Sequence, residues 1–389
     1  MLPDIQLARR GGVIEFGWGH PDLTLLPVAG MAEAAELAST RDGARALSYG
    51  AEQGPGCLIE QLGAWLARRE GVAPRPEQVF ITGGVSQALD LLCTLLTRPG
   101  DVVLVESPVY HLALRIFRDH GLELAPVTGD ADGLCVDALA DALDALRRQG
   151  RRPRFLYTVP TFGNPTGATM PLARRQVLVA LAQANGLTVL EDDVYRELWY
   201  DAPAPPPLHS LASARQRGLA LNGGVIRLGS FSKILAPGLR LGWLLAAPEI
   251  VQRCVRSGML DSGGGVNHFT AHVVAAFMAL GLFDPHIEQL RGVYRARRDA
   301  LLAALERFMP AGVCWRVPGG GFFVWVRLPE GCEGVALLPA AEAAGVSYVP
   351  GARFHADDGG GARHVRLAFS LLQPDELAEG ARRLGQAFS

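Results

Sequence analysis

The 389-residue sequence predicts an α/β fold with a mostly parallel sheet. One observation carries this. From residue 45 to residue 280, short apolar runs bounded by glycine and proline alternate with helical stretches, the pattern of strands joined by helices. The length suits one large subunit of two lobes, with ample chain to bury a core. Hydrophobic residues make up 49% and charged residues 20%, which describes a globular chain and not a disordered one.

The balance of charge narrows the partners. Formal net charge is −2 and no basic block occurs, so neither nucleic acid nor an anionic membrane is implied. The start of the chain lacks an apolar signal core, and no run approaches the ~20 apolar residues of a membrane span. Cys57, Cys93, Cys135, Cys254, Cys314 and Cys332 are scattered, with no C-x-x-C pair. Zinc and redox motifs are therefore not expected, no metal is called for, and reduced thiols point to the cytoplasm. There is no internal repeat, and only residues 202–207 and 357–361 are of low complexity.

The elements follow in order. Residues 13–30 hold Gly17-Trp18-Gly19-His20-Pro21-Asp22, where glycine and proline are dense enough to mark tight turns or close approach. His20 fits either a substrate contact or a solvated loop. Residues 31–40 read as a helix, and 58–70 show helical spacing of apolar side chains. Val79–Thr82 reads as a strand, followed by Gly83-Gly84-Val85-Ser86-Gln87 and an apolar helix over 88–96. A strand, a glycine turn and a helix start aim backbone N–H groups and a positive dipole end at an anion. The turn matches neither a Walker loop nor G-x-G-x-x-G, which argues against a nucleotide. Strands are predicted over 101–106, leading to Tyr110, and over 155–159, leading to Asn164-Pro165-Thr166-Gly167. Another covers 187–191 and ends in Asp192-Asp193-Val194-Tyr195. Two aspartates compete there for any single task. A helix is predicted over 284–308, and its Arg291, Arg295, Arg297 and Arg298 read as a solvated face. Residues 364–370, which include Arg366, alternate as a strand does.

After an apolar strand at 225–228 comes the stretch 230–243, which holds the chain's single lysine, Lys233. All other cationic side chains are arginines, which stay protonated and are not nucleophiles. A lysine amine that is desolvated or crowded by cations loses its proton and forms Schiff bases with carbonyls. Ser230, Ser232 and Arg240 beside it suit a phosphate.

Ser-Phe-Ser-Lys-x-Leu-Ala-Pro-Gly-Leu-Arg-Leu-Gly-Trp resembles the pyridoxal-phosphate (PLP) lysine motif of fold-type I aminotransferases. The likeness is greatest to the subgroup of aminoadipate and kynurenine aminotransferases and the catalytic half of MocR-type regulators. The Gly-His-Pro, Tyr-Gly, Asn-Pro-Thr-Gly, Asp-x-x-Tyr and Arg-Leu-x-Phe-Ser elements extend it over nearly the whole chain. The resemblance implies a large domain over 45–280 with a sheet of the seven-stranded type. It also implies an N-terminal arm over 1–44 that joins a small domain over 281–389. No DNA-binding segment precedes the catalytic half, so the regulator branch is not expected.

Roles are implied residue by residue. Lys233 carries PLP. Ser86, Gln87, Ser230, Ser232 and Arg240 take its phosphate, and Tyr49 reaches the phosphate of the other subunit in a homodimer. Tyr110 stacks on the ring. Asn164 and Tyr195 serve the phenolic oxygen, and Asp192, picked over Asp193 by the Asp-x-x-Tyr spacing, keeps the pyridine nitrogen protonated. Gly19 borders the substrate carboxylate, which Arg366 binds through its fork, with Asn164 alongside.

The reaction expected is transamination between an α-amino acid and a 2-oxo acid. The same residues also serve β- or γ-elimination, replacement or cyclisation, and Gly263-Gly264-Gly265 is read as opening room for a larger second reactant. A third reading, a non-catalytic binding protein of this fold, is disfavoured by the intact Lys233, Asp192, Asn164 and Arg366.

Overall fold

The computed structural model describes residues 5–7, 10–215, 224–357 and 359–388; the first four residues and Asp358 of the 357–361 tract lie outside these. An eight-stranded sheet forms the centre. Its order is Val79–Thr82, Gly242–Leu245, Val225–Ser230, Thr188–Asp192, Phe155–Thr158, Val102–Ser107, Glu123–Asp130 and Gly133–Leu134. Pairing is parallel from Val225–Ser230 across to Glu123–Asp130. Gly242–Leu245 runs against both neighbours, and the two-residue Gly133–Leu134 closes the far edge antiparallel. That short edge is the strand beyond the expected seven.

The central strands are buried along their whole length, so they read as unbroken apolar runs and not as alternation. Helices cover both faces. Leu89, Leu92 and Phe117 pack on one side, and Leu139, Leu143 and Leu178 on the other. The parallel strands end together at Thr82, Ser107, Thr158, Asp192 and Ser230, and the loops beyond a parallel sheet's carboxyl ends are where ligands bind.

A second sheet is antiparallel, in the order Cys314–Trp315, Phe323–Arg327, His364–Ala368 and Val349–Pro350. Ile14–Glu15 pairs in parallel with Val346–Ser347, which ties the start of the chain to its last third. The 26-residue helix Phe283–Phe308 packs along Pro374–Phe388. Among the described residues no single helix is long and apolar enough to cross a membrane.

One expectation fails here. Arg291, Arg297 and Arg298 are not a solvated face: all three are buried, and only Arg295 stays exposed. Arg291 donates to the Glu197 carbonyl at 2.6 Å and to its carboxylate at 3.0 Å. Arg297 reaches Asp22 and the Ser370 carbonyl, both at 2.5 Å. Arg298 pairs with Asp201 at 2.5 Å and donates to the Pro318 carbonyl at 2.9 Å. Long apolar stems let arginine cross a helix face and deliver its charge to distant loops. The helix thus clips the N-terminal segment and the 197–201 loop to itself.

Candidate active site

Lys233 lies in the turn after Val225–Ser230, and its Nζ donates to the Gly19 carbonyl at 3.0 Å. The Phe322 ring sits 5.5 Å away. Burial, then the Arg366 charge, lower the amine from its ordinary value to about 8, and Asp192 opposes them. A sizeable neutral fraction therefore exists near neutral pH, as a nucleophile or a base requires.

Asp192 ends Thr188–Asp192 and is buried. Its Oδ2 accepts from the Tyr157 hydroxyl at 2.6 Å. Its Oδ1 is buried with no hydrogen-bond partner in the protein. Burial pushes the carboxyl up to about 6, with the Tyr157 bond pulling the other way. An orphaned buried carboxylate oxygen is costly, and in a space shared with Lys233 and Arg366 it offers an acceptor to a donor from outside the chain.

Arg366 occupies the middle of His364–Ala368, with its guanidinium between the Phe323 and Phe354 rings at 4.3 and 5.0 Å. It donates to Asn164 Oδ1 at 2.9 Å and to the Gly17 carbonyl at 2.7 Å, while Nε has no partner. Burial lowers it to about 10, so it stays charged at neutral pH. The bond fixes the Asn164 carbonyl toward Arg366 and frees its amide group to donate elsewhere. A Cβ at Gly19 would lie 2.6 Å from Phe323, so only glycine fits between Lys233 and this ring.

The anion end is assembled from three segments. Val85–Leu96 starts just after Gly84, and first-turn N–H groups of a helix have no partner within it. Ser230 is buried, and its hydroxyl accepts from the Ser232 N–H at 3.0 Å. Arg240, in the left-handed region at φ 47°, turns back to the Gly83 carbonyl at 3.4 Å. A Cβ on Gly84 would sit 3.3 Å from Arg240 Nη2, so a side chain there would crowd the cradle. Ser86 is exposed at its rim, and Gln87 accepts from the Gly83 N–H at 3.0 Å.

Between these ends lie Tyr110 and Tyr195. Burial and Asp192 raise the Tyr110 hydroxyl to about 12. Tyr195 is buried edge-on to Phe322 and Phe323. Both hydroxyls feel Asp192 and Arg366, so the set converges on one space.

Tyr49 is apart from it, 86% exposed beside Leu47 at 78%. His20 is not a solvated loop residue. Its ring leans on Trp18 at 5.1 Å, and burial with the Lys233 and Arg366 charges lowers it to about 4, so it is neutral.

Two of the three glycines at 263–265 serve the backbone. Side chains at Gly264 and Gly265 would strike the Gly50 and Ala51 carbonyls, and Gly264 has φ +74°. These glycines allow close backbone contact with the 50–51 segment. Gly264 and Gly265 therefore do not open room for a second reactant, while a Cβ at Gly263 would meet nothing within 4 Å.

Tyr157, Phe322, Phe323 and Phe354 join the site although nothing in the sequence assigns them a role in it. A tyrosine in the middle of the buried run Phe155–Thr158 was the available signal, since a buried hydroxyl seeks a partner. The three phenylalanines become neighbours of the site only when the two sheets meet.

The family model for aminotransferase class I and II matches residues 12–384. A 2-aminoadipate transaminase of Thermus thermophilus is 38% identical over 98% of this chain and 92% of its own length. An aromatic-amino-acid aminotransferase of Thermococcus litoralis is 35% identical over 98% of this chain and 89% of its own. The crystal structure of an α-aminoadipate aminotransferase from Thermus thermophilus, complexed with N-(5'-phosphopyridoxyl)-L-leucine, superimposes with a TM-score of 0.85. It covers 97% of this chain and 92% of its own at 38% identity.

Proposed function

We infer, from a chain that belongs to the class I and II aminotransferase family, which of its residues run the reaction and on what kind of substrate. The cofactor is PLP, and when bound it supplies the electron sink and carries the amino group between the two half-reactions. The residues present fit it. Asp192 offers its orphaned Oδ1 to a protonated ring nitrogen. The helix start at Val85–Leu96, with Ser230, Ser232 and Arg240, suits the phosphate. Tyr110 covers a ring face, and the Asn164 amide and Tyr195 hydroxyl suit the phenolic oxygen.

The chain's own part is to orient the substrate and move one proton. Arg366 takes the α-carboxylate through its fork, giving up its contacts to Asn164 and Gly17 or sharing them. Phe323 and Phe354 hold the guanidinium plane and keep water from its faces. Lys233 Nζ, drawn toward the Gly19 carbonyl, stands beside that carboxylate site. It takes the proton from the substrate Cα and later gives one back.

The observation that carries this reading is Asp192: a buried carboxylate oxygen with no partner, in the same space as Lys233 and Arg366. The substrate proposed is an α-amino acid with a long or aromatic side chain, and the acceptor a 2-oxo acid. The named relatives and the neutral Trp18–His20 pair beside Lys233 support that choice. A homodimer is proposed because Tyr49 and Leu47 lie bare on the segment expected to reach the other subunit. Six free cysteines suit a cytosolic setting.

A single turnover with one amino acid and no acceptor tests it. Stoichiometric pyridoxamine phosphate and 2-oxo acid are expected. PLP recovered unchanged, with a product that has lost a β or γ substituent or gained a carbon–carbon bond, would move the assignment to elimination or cyclisation.

A further inference from the structure

Away from this site, three helices bring Asp42, Cys57 and His272 together. Asp42 ends Val28–Asp42, Cys57 is in the first turn of Gly56–Glu70, and His272 lies in His268–Ala279. Their ligand-type atoms all fall within 4.8 Å of one another. His272 Nδ1 is 2.7 Å from Asp42 Oδ2 and 3.6 Å from Cys57 Sγ.

The geometry says what this trio is not. In a nucleophile–histidine–carboxylate relay the two partners sit on different ring nitrogens, so that one gives a proton as the other holds the ring. Here both partners face the same nitrogen. One Nδ1 proton cannot point at both, and one Nδ1 lone pair can serve only one donor. A cation at the centre removes the conflict, because the Nδ1 lone pair, the thiolate and the carboxylate can all point inward at it.

We propose that Asp42, Cys57 and His272 form a binding site for a borderline-soft divalent transition metal such as Zn²⁺. The donor set of one sulfur, one imidazole nitrogen and one carboxylate oxygen selects this class over Mg²⁺ or Ca²⁺, which take oxygen ligands. Tetrahedral Zn²⁺, at about 2.3 Å from sulfur and about 2.05 Å from nitrogen, holds those atoms about 3.6 Å apart, the separation found here. The oxygen–nitrogen pair would need about 3.4 Å, so Asp42 has to retreat from its present 2.7 Å.

Arg41 is the competitor, with Nε on Asp42 Oδ1 at 2.9 Å and Nη2 on Oδ2 at 2.7 Å. A carboxylate oxygen has two lone pairs, so Oδ2 can keep Arg41 and still face the cation. On binding, the Cys57 thiol proton goes to solvent. Thiolate and carboxylate then balance the two positive charges of the ion, and His272 stays neutral with its proton on Nε2. Water can complete the shell.

No sequence spacing gives this away, because the ligands are 15 and 215 positions apart and no C-x-x-C pair exists. Such an ion would staple three helices next to residues 47–54, which include Tyr49.

The test uses full-length, PLP-loaded enzyme treated with chelator and then titrated with Co²⁺ and Zn²⁺. Expected are one equivalent bound per chain, tetrahedral Co²⁺ absorption in the visible, its displacement by Zn²⁺, and a melting temperature raised by Zn²⁺. Cys57→Ser and His272→Gln should each weaken Zn²⁺ binding by at least ~100-fold, since losing even an outer partner of a ligand costs about 10–100-fold. Cys314→Ser, in the smaller sheet, should bind as the parent does. If His272→Gln fails to fold, Cys57→Ser decides. No stoichiometric Co²⁺ spectrum in the parent, or an unchanged one in Cys57→Ser, overturns the proposal.

Discussion

Glu191, Asp192 and Asp193 are three acids in a row with three fates. Glu191 accepts from the N–H groups of Leu208 and His209 at 2.8 and 2.9 Å and so caps the helix Leu208–Arg215. Asp193 points away from the Lys233 site, and its Oδ2 takes Arg196 at 2.5 Å and Arg227 at 2.8 Å. Arg227 continues to Glu70 at 2.6 Å. Burial pushes the Asp193 carboxyl up, but the two arginines outweigh it and hold the carboxyl low. Asp192 faces the other way, with one oxygen on Tyr157 and one on nothing. Strand alternation sends neighbours to opposite sides, so adjacent identical residues become structural on one side and reactive on the other. Each aspartate keeps one buried oxygen with no partner in the protein, and what separates them is what the other oxygen faces: two arginines for Asp193, and Tyr157 next to the Lys233 space for Asp192.

The largest effect to expect is at Lys233, on the Asp192 side. Lys233→Ala removes the chain's single lysine and should lower turnover by at least ~10²–10⁴-fold, the usual contribution of a positioned base. Borohydride reduction and peptide mapping should find the cofactor on Lys233 in the parent; a label on another peptide would end this reading.

Next is the contrast between the two aspartates. Asp192→Asn should cost roughly 10²–10³-fold or more in rate, as losing a preorganised charge does, with little change in melting temperature. Asp193→Asn should keep most of the rate but lose stability, on the order of 3–5 kcal/mol, because Arg196 is left buried without a carboxylate and Arg227 keeps only Glu70. Paired kinetics and denaturation curves decide it, and a reversal of the two patterns would make Asp193 the carboxylate that serves the reaction.

A third step compares arginines. Arg366→Ala should weaken α-carboxylate binding by about 2–4 kcal/mol. Arg291→Ala, which breaks the link to Glu197, should alter stability and leave KM alone. An unchanged KM for every amino acid in Arg366→Ala would count against the fork.

Much of this was legible in the sequence, and the reason is local. The Val79–Thr82 strand, its glycine turn and the following helix are contiguous, so their chemistry can be read in one window. The same holds for Asn164-Pro165 and for Lys233 with Ser230 and Ser232. What stayed hidden depends on pairs far apart in the chain. Tyr157 meets Asp192 only because neighbouring strands are in register. Arg297 meets Asp22 across 275 positions, so a helix rich in arginine looked like a wet surface. The glycines at 264 and 265 looked like space because the backbone they touch, at residues 50 and 51, is more than two hundred positions away.

The smallest effect is the finest probe of the comparison, since it asks which charges Lys233 feels. Its amine sits at about 8, lowered first by burial, then by Arg366, with Asp192 acting in the opposite sense. Below that value Nζ is protonated and cannot attack the cofactor aldehyde. The rate at which apoenzyme captures PLP should therefore climb with pH and level off above about 8. Arg366→Gln takes away a positive neighbour, makes the ammonium easier to keep, and should move the climb to higher pH. Asp192→Asn takes away a negative neighbour, makes the ammonium harder to keep, and should move it to lower pH. Asp193 is not among the charges that set the Lys233 value, so Asp193→Asn should leave the profile in place. Stopped-flow capture rates for the four proteins across the pH range test all three signs. A profile that shifts for Asp193→Asn and stays put for Asp192→Asn would mean that Lys233 faces the arginine network and not the orphaned oxygen.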